Sequence, residues 1–282
     1  MVNSFDSALV ADTISSRSLT VLANRLAALG LCSMDFSDEI RKPNDTIQVA
    51  IVSATGATQV NPTNFEPGGS TTVGKATVTF DHVFQPFELS VSDLANGKRL
   101  EQLVQINLDA LADKIWELAL APVTTVNFGA ATVTTTNITP GSGHLAKLWA
   151  AVSKSSRKGL IVTPEIYSNL IPTNALGLNL SQGAYGFENG IYYVSSFAGA
   201  VSGLDGLALS PQALAVASGV PAIADEVRGQ FAMSDTVTLD QLGITVQYNV
   251  WGSTMNRKVN ASLELMFGSA AGLTSGTAAL II

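Results

Sequence analysis

The chain has 282 residues, of which 46% are hydrophobic and only 13% charged, with a net charge of −7. That length allows one large domain or two ordinary ones and a core that needs no covalent staples. The acidic balance argues against a dedicated nucleic-acid reader, because phosphate affinity comes mainly from Lys and Arg, but it leaves open a protein that merely encloses nucleic acid.

Charged residues reach about half the share usual in soluble domains. Either the core is unusually large or much of the surface is hidden against partners. The start, "MVNSFDSALVADTISSRS", has neither a basic opening nor a long apolar run, so no secretory signal is expected. Residues 1–42 read as an arm with a helix in it: Leu19, Leu22, Leu26 and Leu29 recur at helical spacing, and Gly30 is a stop. "MDFSDEIRKPND" follows as a polar connection.

"TIQVAIV" (46–52) alternates as a strand, and "ATVTFDHVFQPFELSV" (76–91) reads as a second. The Thr-, Gly-, Asn- and Pro-rich stretch between them is too long for a structureless loop in a compact domain. The alternative is a long two-stranded arm reaching away from the body. An isolated hairpin is marginal in water, so such an arm implies a receiving chain.

Residues 92–120 are expected to form one long helix, with Val104, Leu108, Leu111, Ile115 and Leu118 on one face and Asp109, Asp113 and Glu117 on the other. The acidic stripe reads either as a solvated face or as a surface awaiting a basic partner. Pro122 ends the helix. Residues 123–139 read as two short strands around a Gly turn, "SGHLAKLWAAVSKSS" as a short helix and "GLIVT" as a buried strand. "TPEIYSNLI" carries Thr163 as cap and Pro164 as first helical residue. "SPQALAVASG" repeats that signal with Ser210, Pro211 and Gly219, and "GIYYVSS" reads as a strand. Strands return in "DTVTLDQLGITVQYNV" and "VNASLELMFG", and the tail 265–282 reads as strand and turn, not as a membrane span. The fold class is α+β with one long helix.

Chemistry is sparse. Gly69, Gly74 and Lys75 fall at phosphate-loop spacing, but Ala76 replaces the required hydroxyl, and a β-rich run follows where a helix should open. Two His and one Cys do not by themselves build a zinc site. His144 beside Ser142 lacks a nucleophile elbow, and His82 reads as a solvent-facing strand residue. Asp38 and Glu39 sit adjacent in a turn, Cys32 reads as a buried free thiol, and Lys154, Arg157 and Lys158 read as a solvated basic group or a partner for the acidic stripe or for packaged nucleic acid. No catalytic, cofactor-binding or metal residues are assigned, no cofactor is expected, and the chain reads as no enzyme.

The order of parts, and the style of "MDFSDEIRKPNDTIQVAI", "VFQPFELSVSDL", "GLIVTPEIYSNLI", "GLALSPQALAVASG" and "TVTLDQLGITVQYNVWGSTMNRKVNASLELMFG", resembles the major capsid proteins of tailed bacteriophages, of the Hong Kong 97 type. The resemblance implies an N-terminal arm (1–42), an extended loop lying over a neighbour (43–91), a peripheral domain with its spine helix (92–158), an axial domain (159–235) and a return to the peripheral domain (236–282). It implies a virion shell subunit that self-assembles into pentamers and hexamers around double-stranded DNA. Portal, scaffolding and decoration proteins are its expected partners, no membrane is involved, and assembly takes place in the host cytoplasm. Some members cross-link a loop Lys to an Asn of a neighbour; Lys75 with Asn256 or Asn260 are the residues here that could answer to that. The other readings are an encapsulin-like nanocompartment shell of the same fold, a nucleotide-binding enzyme resting on Gly69–Lys75, and a phage tail or fibre protein.

Overall fold

The computed structural model describes residues 22–52, 73–90, 97–135, 137–139, 143–152, 157–170, 190–194, 197–239, 242–253, 258–274 and 276–282. Its strands are β1 (Ser33–Arg41), β2 (Thr46–Val52), β3 (Val73–Thr79), β4 (Asp81–Leu89), β5 (Gly159–Val162), β6 (Ile191–Tyr193), β7 (Gly206–Leu209), β8 (Leu214–Pro221), β9 (Met233–Leu239), β10 (Ile244–Ser253), β11 (Lys258–Ala271) and β12 (Ala278–Ile281). The helices are α1 (Gly97–Leu120), α2 (Thr125–Phe128), α3 (His144–Ala151), α4 (Pro164–Leu170) and α5 (Asp225–Arg228). Ahead of β1, residues 22–26 are helical and tighten into a 3-10 turn over Ala27–Leu31.

A six-stranded sheet is organised by the 14 residues of β11. One edge of β11 pairs with β4; the other pairs first with β10, which continues to β9, and then with β8, which continues to β1. The 24-residue α1 lies across this sheet. Val104, Leu108, Leu111, Ala112, Ile115 and Trp116 from the helix meet Val246, Tyr248, Val250, Leu263, Leu265 and Phe267 from the strands, and Leu22, Leu26 and Leu29 of the arm close the same core. Burying one Leu of this kind is worth about 2 kcal/mol, so a stripe of this width fixes the helix without help from its exposed face.

A second sheet runs β12-β7-β5-β6, with α3 and α4 packed on a smaller core that includes Leu145, Leu148, Leu160, Ile166, Leu170 and Ile281. It takes its edge strand from the end of the chain, by antiparallel pairing of Ala278–Ile281 with β7. The third sheet is the two-stranded pair β2–β3.

Four local expectations are corrected. The polar connection is strand β1, paired in parallel with β8. The run 76–91 is two strands that part at Phe80: β3 stays with β2, while β4 enters the large sheet. "SPQALAVASG" is not a helix, because Ala215, Val216 and Ala217 are buried in β8 between β1 and β11, where strand pairing overrides the local cap signal. Residues 125–128 are one helical turn, capped by Thr124 Oγ1 accepting from the Asn127 N–H at 3.2 Å, and Val133 makes only an isolated bridge to Ile281.

Candidate assembly surfaces

The β2–β3 pair is rooted by a small apolar cluster of its own. Val49, Ile51, Ala76, Val78 and Phe80 pack on Ala215, Ala217 and Met266 of the large sheet. Glycine makes the close approach possible. A Cβ at Gly268 would sit 2.7 Å from Val78 Cγ1 and 3.0 Å from the Thr79 carbonyl carbon, with the carbonyl oxygen nearer still. A Cβ at Gly272 would sit 2.8 Å from Ile51 Cδ1. On the opposite face of the pair, Gln48, Ala50, Lys75 and Thr77 are exposed.

Beside this root, β4 is clipped to the sheet by polar side chains. Glu264 is 6% exposed. Its Oε1 accepts from Asn249 Nδ2 at 2.8 Å and Ser262 Oγ at 2.5 Å, and its Oε2 pairs with His82 Nε2 at 3.0 Å. Asn249 Oδ1 accepts in turn from Ser234 Oγ at 2.6 Å. The chain of bonds therefore runs from β4 through β11 and β10 to β9. An unpaired carboxylate at such depth would cost several kcal/mol, and three donors remove most of that penalty. His82 is an exposed strand residue, as expected, and its ring also bridges β4 to the buried carboxylate of β11.

The acidic stripe of α1 is partly neutralised within the subunit. Arg25 Nε donates to Asp109 Oδ1 at 3.0 Å, and Lys114 Nζ lies 2.8 Å from Glu117 Oε1. Trp116 Nε1 donates to the Arg25 carbonyl at 3.0 Å, so the arm is held to the helix by two bonds about two turns apart. Between arm, helix and β6 lies a cavity of about 330 Å³, lined by Arg25, Asp113, Trp116, Tyr167 and Tyr193 among others.

The remaining candidate residues are scattered. Gly74, Lys75 and Ala76 lie in β3, opposite Ile51, Ala50 and Val49, so no helix opens behind Lys75 to receive a phosphate. Gly69, Ser142, Lys154 and Asn256 lie outside the described residues. His144 begins α3. Asp38 and Glu39 are in strand β1, not in a turn, and Glu39 pairs with Arg41. Lys158 is 5% exposed; its Nζ donates to the Trp149 carbonyl at 2.8 Å and lies 3.8 Å from the centre of that indole ring, so it belongs to the small core and not to a solvated face. Arg157 is exposed. Burial pushes the Cys32 thiol up to about 12, and burial, with Asp235 adding to it, raises the Tyr248 hydroxyl. Among the described residues no cluster of three or more His, Cys, Asp or Glu could hold a metal, and no helix is long and apolar enough to cross a membrane. Sequence reasoning missed Glu264 as the centre of the clip; the one signal was a single carboxylate inside the apolar run "LELMF".

No protein-family model matches the chain, and no curated protein matches it in sequence. Solved structures do. A virus-like particle from Pyrococcus furiosus is similar over 96% of this chain and 98% of its own, with a TM-score of 0.55 at 12% identity. The capsid of an empty GTA particle is similar over 92% of this chain and 89% of its own, with a TM-score of 0.53 at 9% identity. At such identity the likeness concerns the path of the chain: this protein has the α+β, Hong Kong 97-like fold that these two particle shells share.

Proposed function

We propose that this chain is the subunit of an icosahedral virion shell, built from pentamers and hexamers of itself and enclosing double-stranded DNA without reading its sequence. The observation that carries the reading is the β2–β3 pair: two seven-residue strands rooted on one small cluster, in a chain that has a capsid-subunit fold. Two strands alone are marginal, and a closed shell supplies the missing partner to every copy by symmetry. In this assignment residues 92–158 and 236–282 are the peripheral domain, with α1 and much of the large sheet, and 159–235 the axial domain around which subunits gather, with β5, β6 and β7; β8 and the start of β9, from the axial stretch, join the large sheet, and β12, from the return, joins the small one. The arm and the hairpin lace neighbours, while portal, scaffolding and decoration proteins are further partners in a host cytoplasm. Nothing in this role calls for catalysis.

Electron microscopy of the purified protein tests the reading. Closed shells, or rings of five and six, are expected. A monodisperse monomer that binds ATP, with binding lost in Lys75→Ala, would overturn it. Particles that carry protein cargo and no nucleic acid would move the assignment to a nanocompartment of the same fold.

A further inference from the structure

An open strand edge attracts other strands, and proteins defend such edges with bulges, charges, proline or brevity. Most edges described here are defended. β1 carries a register shift between Phe36 and Ile40 and the charges of Asp35, Asp38, Glu39 and Arg41. β4 carries Pro86. β6 has three residues, and β12 is bridged by Val133. Two edges have neither bulge nor proline and carry a single charge each. β9 ends the large sheet and pairs with β10 in unbroken register over all seven residues, with no Pro, Lys or Arg. The β2–β3 pair is equally regular.

We propose that these two regular edges, each defended by one charge of opposite sign, meet between copies: β3 of one subunit adds to the outer edge of β9 of the next. The charges agree. Lys75 is the one charged residue of β2 and β3, Asp235 is the one charged residue of β9, and both are exposed. Lengths agree too, at seven residues each, and Lys75 and Asp235 are each third in their strand. A parallel alignment therefore pairs every residue with Lys75 beside Asp235, whereas an antiparallel one that keeps this contact leaves strand ends unmatched. Asp235 Oδ1 now accepts from the Thr236 N–H at 2.8 Å, which holds the carboxylate at the edge where the ammonium arrives. The contact is heterologous, so it propagates around a ring instead of closing a dimer. It rests on the shell reading and names the surface that receives the hairpin.

The test uses shells grown from a mixture of light and heavy nitrogen-labelled wild-type protein, treated with a carbodiimide that joins touching amines and carboxylates. Mass spectrometry should find Lys75–Asp235 peptides carrying one light and one heavy half. Asp235→Lys should raise the concentration needed for assembly by about five-fold or more, and Lys75→Glu combined with Asp235→Lys should restore it. Shells that form other inter-subunit links but not this one overturn the inference and leave the shell reading intact. So does normal assembly of Asp235→Lys, or failure of the charge swap to rescue. A chain that forms no shells at all removes both.

Discussion

Gly268→Ala probes the root of the hairpin. The added methyl would lie 2.7 Å from Val78 Cγ1 and 3.0 Å from the Thr79 carbonyl carbon. Carbon atoms rest about 3.5–4.0 Å apart, so β3 must lift by roughly an ångström at Thr79. Overpacking of this kind costs about 1–3 kcal/mol. The lift also tilts the pair. If Ala76, roughly 10 Å along the strand, stays seated, Val73, roughly 10 Å beyond it, swings by about 1 Å the other way. A gap of about 1 Å already forfeits roughly a quarter to a half of a dispersion contact, so the same error repeated in every subunit weakens any contact the pair makes with a neighbour. Thermal melting should fall by roughly 3–10 °C, and shells should become scarce or irregular under the microscope. Gly252→Ala is the control, because nothing lies within 4 Å of a Cβ there. Unchanged melting and normal shells for Gly268→Ala would refute the close-approach reasoning.

Further outcomes follow from the same structure. Glu264→Ala strands the donors of Asn249, Ser262 and His82 and should destabilise the subunit by about 2–4 kcal/mol in urea unfolding; His82→Ala leaves the other two bonds and should cost about half as much. Leu111→Ala, fully buried in the main core, should cost about 2–5 kcal/mol in the same assay. Deleting 55–75 should leave a folded subunit, by circular dichroism, that fails to form stable shells. The Cys32 thiol keeps its proton in the folded state up to about pH 12, whereas an unfolded thiol ionises near 9. The folded state therefore binds the extra proton across that window. Stability should fall by up to about 1.4 kcal/mol per pH unit from 9 to 12, and Cys32→Ala should remove this slope in unfolding curves.

Local patterning carried much of the fold and little of its pairing. β2 was legible because Ile47, Val49 and Ile51 alternate with outward-facing residues, and α1 because its apolar stripe keeps one face for between four and five turns. β1 was not legible: Asp35, Asp38, Glu39 and Arg41 look like a loop, and the strand exists only because β8, some 180 residues later, pairs with it. The cap-like Ser210 and Pro211 misled for the same reason, since the small residues of β8 suit burial between two strands as well as they suit a helix. The break at Phe80 leaves no trace, because the chain stays extended while changing sheets. His82 and Glu264 lie 182 residues apart, and no spacing rule brings them together.

The three tryptophans fall in three different parts of the molecule. Trp116 ties the long helix to the arm, Trp149 lies under the Lys158 ammonium in the small core, and Trp251 sits edge-on to Phe231 at 5.8 Å on β10. Intrinsic fluorescence is therefore separable by region. Variants that keep one indole at a time, with Phe at the other two positions, would report independently on arm release, on opening of the small sheet and on movement of the long β10–β11 ribbon, and so would time the order in which the subunit yields as a particle is taken apart.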